Sequence, residues 1–223
     1  YVYVSPENNQ DGGAPGGNIR VAFLYDTYYF DLQSYKRIGE KNETDAFDNS
    51  RKPLYVVLKH KQTNEIYHLI GVHNKSKSGD NSPWGSIQPA VQTTLPQRIK
   101  QTTYIKDWIQ KNLDKENDNI IILGDFNDYE WSDSVKVLDD NTENRFMKNL
   151  INDISENERY SFYYSGTYHT IDHAIVSSNI YNRIKKVFDT NLTIPKKQYI
   201  IFSDVLSTQL WLQSIGEPIL VDH

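Results

Sequence analysis

Short clusters of acids, amides and histidines carry the chemistry of this chain. Asp125 and Asn127 close the stretch Ile-Ile-Leu-Gly-Asp-Phe-Asn, which runs as a buried strand, stops at a Gly and delivers both side chains into a loop. Two residues apart at a strand end, a carboxylate and an amide project to the same side. That placement suits a site holding a cation and a phosphate oxygen together, although a strand followed by Gly-Asp is also an ordinary turn. Three further groups accompany it: His73 in Gly-Val-His-Asn-Lys-Ser-Lys, Asp172 in Thr-Ile-Asp-His-Ala-Ile-Val-Ser, and the terminal pair Asp222-His223. Histidine donates to a phosphate oxygen or protonates a leaving group near neutral pH. A carboxylate inside the apolar run around Asp172 is costly without a partner. His173 alternates to the opposite face and reads as structural. Arg51 and Lys75 offer charge-assisted bonds to phosphate.

The ordered set resembles the endonuclease/exonuclease/phosphatase superfamily of metal-dependent phosphoesterases, and within it the secreted bacterial nucleases related to pancreatic deoxyribonuclease. The matching stretches are residues 16–25, 50–54, 72–77, 123–127, 171–177 and 222–223, in the family's order. The resemblance implies an α/β fold in which two packed mixed β-sheets are flanked by helices, a four-layer sandwich, as one domain truncated at both ends. It implies catalytic roles for His73, Asp125, Asn127, Asp172 and His223. Asp125 would position or deprotonate the attacking water and touch the metal, and Asn127 would donate to a phosphate oxygen. Asp172 would orient His223, and Asp222 would be a metal ligand. The cofactor implied is Mg²⁺, with Mn²⁺ or Ca²⁺ as alternatives.

The substrate implied is nucleic acid, DNA before RNA, and the location secreted or at the cell surface. A phosphatase of the same fold acting on inositol phosphates or phospholipid head groups is the alternative, and a non-catalytic binding member is a third. Arg98 and Gln101 match the family's Arg-x-x-Gln helix start, where Arg98 is a substrate contact or a structural salt bridge. Val221 stands where the family has Ser. Ser203-Asp204 is a rival start of the last motif, with Val205 in the histidine's place. The family's early Asn and metal-binding Glu have no match, and the chain lacks an initiator Met, so it reads as an internal fragment. As such it is expected to bind metal weakly and to be inactive alone.

The elements that must position these residues are of mixed type. Residues 19–25 form an apolar run expected as a buried strand. Residues 26–50 read as a long surface excursion. Leu54 to His60 and Ile66 to Val72 are strands joined as an antiparallel hairpin. Residues 78–96 form a loop containing Trp84, long enough to suggest function. Gln97 to Lys115 carries Ile105, Trp108, Ile109 and Leu113 at helical spacing. A strand from Asn119 to Leu123 follows, so the helix is the crossover between two strands. Residues 131–138 and 145–151 are read as short helices and Ile171 to Val176 as a strand. Residues 194–216 match no expected element.

Bulk composition permits this reading. Hydrophobic residues make up 38% of the chain and aromatics 13%, enough for a substantial core. No apolar run is long enough to span a membrane. The net charge of −5 means that any basic footprint for nucleic acid is local. With no cysteine, disulfides, thiolate metal sites and cysteine nucleophiles are excluded. Tyr25 and Trp84 are candidates for stacking on a sugar or base.

Overall fold

Alternation of apolar side chains builds the sheet that carries the site. In the computed structural model, which describes residues 2–3, 19–164 and 166–189, six strands form one mixed sheet in the order β3-β4-β5-β6-β10-β7. Its members are β3 (Phe30–Arg37), β4 (Leu54–His60), β5 (Ile66–His73), β6 (Asn119–Asp125), β7 (Lys148–Asn149) and β10 (Asp172–Val176). Only β5 and β6 run parallel, and they are joined through helix α1 (Leu95–Asn112); every other neighbouring pair is antiparallel. A two-stranded sheet pairs β1 (Val2–Tyr3) with β2 (Ala22–Phe23), and a hairpin pairs β8 (Phe162–Tyr164) with β9 (Thr167–His169). Helices α2 (Asp133–Lys136) and α3 (Ser178–Asp189) complete the elements. The fold is the expected mixed α/β architecture, with a large mixed sheet, a small second sheet and flanking helices.

Both faces of the large sheet are buried. Ile70 and Val72 of β5, Ile120 and Ile122 of β6 and Ile175 of β10 pack with Ile105 and Ile109 of α1. The opposite face gathers Leu54, Val56 and Leu58 of β4, Leu69 of β5, Ile121 and Leu123 of β6 and Val176 of β10, under Phe23 and Ile180. Strands buried on both faces read as continuous apolar runs, which is why β4, β5 and β6 are legible in the sequence. Gly71 lets the second layer approach: a Cβ there would stand 2.6 Å from Val21 Cγ1 and 3.0 Å from the Phe23 ring.

Four expected elements differ. Within residues 26–50 lies β3, an eight-residue edge strand whose outward positions are solvated. Residues 131–138 hold only the four-residue helix α2. Residues 145–151 are not a helix: they contain β7 and then enter a 3₁₀ turn at Leu150–Asp153, capped by the Asn149 side chain accepting from the Ile151 N–H. Pairing of Lys148 and Asn149 with Val176 and Ile175 overrides the weak local helical pattern. Residues 19–25 contribute only the two residues of β2 as strand. Residues 194–216 lie outside the described part.

Candidate active site at the ends of β5, β6 and β10

Register brings three of the sequence-predicted acids and bases together. His73 is the partner of Asp125 across the parallel β5–β6 pair, and Asp172 is the partner of Asp125 across the antiparallel β6–β10 pair. Side chains alternate along a strand, so His73 shares a face with Leu69, Asp125 with Ile121 and Leu123, and Asp172 with Val176. That is the face covered by Phe23. His73, Asp125 and Asp172 therefore lie side by side at one level of the sheet, on one face, at its edge. His73 Nε2 is 3.5 Å from Asp125 Oδ2, and both side chains keep about a quarter of their surface exposed, at 25% and 28%.

The loop after β6 holds Asp125 in place. The backbone N–H of Asn127 donates to Asp125 Oδ1 at 2.6 Å, and its Nδ2 donates to Asp125 Oδ2 at 3.2 Å and to the Asn74 carbonyl at 3.1 Å. Asn127 has φ +51°, a left-handed conformation that Asn tolerates better than most residues. Asn127 is thus positioned to orient the carboxylate, and its amide already has partners within the loop. Gly124 is required just before. At φ +130°, any Cβ there would stand 2.2 Å from the Val72 carbonyl oxygen, a backbone atom that cannot yield. Gly124→Ala should therefore cost about 2–4 kcal/mol of stability, measured by urea unfolding.

His73 is uncharged at neutral pH. Its burial, assisted by the positive charge of Arg51, moves its pKa from 6.5 down to about 4. The Asp125 carboxylate 3.5 Å away would favour the imidazolium, so the two geometric influences oppose each other. Desolvation prevails, and the contact is that of a neutral ring with a carboxylate. His173, on the α1 side, is also moved to about 4 by burial. It is structural, as its alternation implies: Nε2 meets the Asp128 carbonyl at 2.8 Å and Nδ1 the Asn149 amide at 3.1 Å. Both rings are neutral in the fold, while in the unfolded chain they protonate near pH 6.5. Their stabilisation is complete above pH 6.5 and is lost as pH falls from there towards 4. Urea unfolding at pH 7.5 and at pH 4.5 should show the drop, and His173→Asn should reduce it.

The candidate cations take different positions. Arg51 is nearly buried, and its guanidinium donates to the Asn74 carbonyl beside His73. Lys75 donates its backbone N–H to Gln101 Oε1 at 2.8 Å, and among the described residues its ammonium forms no ion pair, so it remains available to an anion. Arg98 is engaged inside the protein. It is 0% exposed, with Nε donating to Asp128 Oδ2 at 2.8 Å and Nη2 to Asp80 Oδ2 at 3.0 Å. Its Nη1 bonds Thr94 Oγ1 and the Lys75 carbonyl. The guanidinium is enclosed by two carboxylates, the salt-bridge arrangement that was the structural alternative for Arg98. Gln101 is also internal, donating to Ser50 Oγ at 3.0 Å.

Asp128 is the residue that the motifs did not single out. It accepts from Lys77 Nζ at 2.7 Å, Arg98 Nε at 2.8 Å and Ser134 Oγ at 2.8 Å. Burial alone would raise its pKa, but the Lys77 hydrogen bond and the Arg98 and Lys77 charges outweigh burial and hold it below the ordinary carboxylate value. It joins the β6 loop to α1 and to the segment after His73. Its one sequence signal is position, immediately after Asn127. Asn74, where the family has an apolar residue, is also part of this frame: its N–H donates to the Asp125 carbonyl at 2.8 Å.

Asp222 and His223 lie outside the described residues, and with them the expected Asp172–His223 pair. Among the described residues no group of three or more His, Asp or Glu side chains is placed to hold a metal ion. Asp125, at the end of β6, offers carboxylate oxygen donors of the kind that a hard divalent cation takes. The donors fit such an ion in type, as part of a larger ligand set. No described helix is long and apolar enough to cross a membrane.

Comparison with solved structures supports the same fold. The chain is similar to an endonuclease/exonuclease/phosphatase family protein from Bacteroides thetaiotaomicron, at TM-score 0.53 and 14% identity over 80% of this chain and 60% of that one. It is similar to a family protein from Bacteroides vulgatus, at TM-score 0.52 and 13% identity over 79% and 64%. A mannosyl-6-phosphatase from Bacteroides thetaiotaomicron matches at TM-score 0.52 and 15% identity over 80% and 62%. The chain thus spans 60–64% of the length of these three structures. No curated protein matches it in sequence. Residues 10–212 match the sequence profile of the endonuclease/exonuclease/phosphatase family, and the chain belongs to that family.

Proposed function

We propose that this chain carries the catalytic face of a divalent-metal-dependent phosphodiesterase, an exported or cell-surface nuclease acting on DNA before RNA. The observation that supports this most is the register of His73, Asp125 and Asp172 on one face at one sheet edge, in a chain of a phosphoesterase family. Hydrolysis of a phosphoester requires an oriented water and a place for the negative charge that builds on the phosphate. Asp125, fixed by two donors from Asn127, holds the attacking water and takes its proton. His73, neutral at physiological pH, presents a ring N–H to a phosphate oxygen and carries no pre-formed imidazolium for the leaving group. Arg51 and Lys75 add positive potential beside it. A bound Mg²⁺, Mn²⁺ or Ca²⁺, with Asp125 and Asp222 as oxygen ligands, would supply neutralisation of the phosphate charge, and Asp172 would orient His223 as its acid–base partner.

Substrate class is tested by offering the full-length protein a single-stranded oligonucleotide, a duplex, inositol phosphates and sugar phosphates, each with Mg²⁺. Cleavage of the diesters at least tenfold faster than release of phosphate from the monoesters is the expected result. Monoesterase activity without strand cleavage would replace the nuclease reading with the phosphatase one.

A further inference from the structure

In the loop that follows Asn127 begins an aromatic group that hydrolysis does not use. Trp84 is 58% exposed and Trp131 is 49% exposed, a large indole surface given to water. Trp131 stacks on Tyr129 with centroids 4.6 Å apart and planes 6° from parallel. The stack covers one face of the indole, so the remaining exposure belongs chiefly to the other. Trp84 meets the same stack edge-on, 5.4 Å from Tyr129 and 6.2 Å from Trp131. Being nearer Tyr129, it stands at the side of the stack and leaves the outer face of Trp131 open. The result is a flat indole floor whose stack is buttressed from the side by Trp84.

The group is built rather than incidental. Tyr129 is buried, and its hydroxyl meets His169 Nδ1 at 2.9 Å. Lys77 Nζ lies 4.9 Å from the Tyr129 ring centre while bonding Asp128. Trp84 sits in a turn closed by the Gly85 N–H on the Ser82 carbonyl, with Pro83 fixing its approach. That loop is pinned by Asp80, which accepts from the Thr94 N–H at 2.8 Å and from Arg98 Nη2 at 3.0 Å. A side chain held this way loses little freedom when a ring is laid on it.

Position and charge select the occupant. Tyr129 and Trp131 follow Asn127 in the loop that holds Asp125, and Lys77 follows His73 after the end of β5. A ligand reaching both Asp125 and Trp131 has an anionic phosphate at one end and a flat ring at the other, with Lys75, in the segment after His73, to meet its charge. That describes a nucleotide. A base paired inside a duplex cannot lie on an indole face, whereas an unstacked base can. Resting on the phosphodiesterase reading above, we propose that Trp131, its stack buttressed by Trp84, is a base-stacking platform for one unpaired nucleobase of the strand being cut, giving the site a preference for single-stranded or frayed nucleic acid.

The test compares an eight-nucleotide oligothymidylate with an equally long oligomer of abasic sites, on the full-length protein and on Trp131→Ala and Trp131→Phe. Trp131→Ala should raise KM for oligothymidylate about 10- to 100-fold with kcat little changed, Trp131→Phe should restore most of it, and the abasic oligomer should show the high KM on every variant. An unchanged KM in Trp131→Ala, or an equal loss on the abasic oligomer, would overturn the platform while leaving the phosphodiesterase reading intact. Cleavage of neither oligomer by the unaltered protein would overturn both.

Discussion

Arg98→Met should lower the unfolding free energy by roughly 3–5 kcal/mol, the cost of leaving buried carboxylates without their cation. The Arg98 side chain is 0% exposed and those of Asp80 and Asp128 are 1% exposed, so water cannot take the guanidinium's place. Asp128 retains Lys77 at 2.7 Å, but among the described residues Asp80 keeps only the Thr93 and Thr94 donors. Arg98→Lys should rescue little, since one ammonium cannot bridge two carboxylates, a hydroxyl and a carbonyl in the planar arrangement that the guanidinium fits. Urea unfolding of the three proteins measures this, and a loss below about 1 kcal/mol would show the network to be incidental. Because Asp128 is next to Asn127, Arg98→Met should also weaken hydrolysis by loosening the loop that orients Asp125.

Asp125→Asn should reduce phosphodiester hydrolysis by roughly 10²- to 10⁴-fold, the range for losing a positioned acid–base group. The exchange is nearly isosteric, and the Asn127 N–H still finds an oxygen acceptor, so stability should change by only about 1 kcal/mol. Unaltered unfolding with lost activity separates chemistry from folding. Asp172→Asn tests the neighbouring register position in the same way; activity that survives it would confine the chemistry to the β5–β6 edge.

Much of the site was legible because its motifs coincide with strand ends. β4, β5 and β6 are largely buried on both faces, so they read as predominantly apolar runs, and the Gly-Asp after Leu123 marks where β6 delivers its carboxylate. The helix between the strands fixed the parallel order of β5 and β6. β3 was not legible, because an edge strand such as Asp31 to Arg37 leaves one side to solvent and spells a polar segment, with a bulge between Leu32 and Ser34. The role of Arg98 was undecidable locally, since its carboxylate partners lie 18 and 30 residues away and only the fold brings them to α1. The Tyr129–Trp131 stack was hidden for a related reason. Spacing of two along a loop implies no shared face, and only Trp84, from a different loop, shows that the rings form one group.

The central claim is that metal-assisted phosphodiester hydrolysis occurs at Asp125. Its most direct test incubates supercoiled plasmid with the full-length protein and with its Asp125→Asn variant, in Mg²⁺, in Mn²⁺ and with a chelator. Nicking by the unaltered protein that disappears both with chelator and in Asp125→Asn is the predicted result. Intact plasmid under every condition, or nicking that persists in Asp125→Asn, would contradict it.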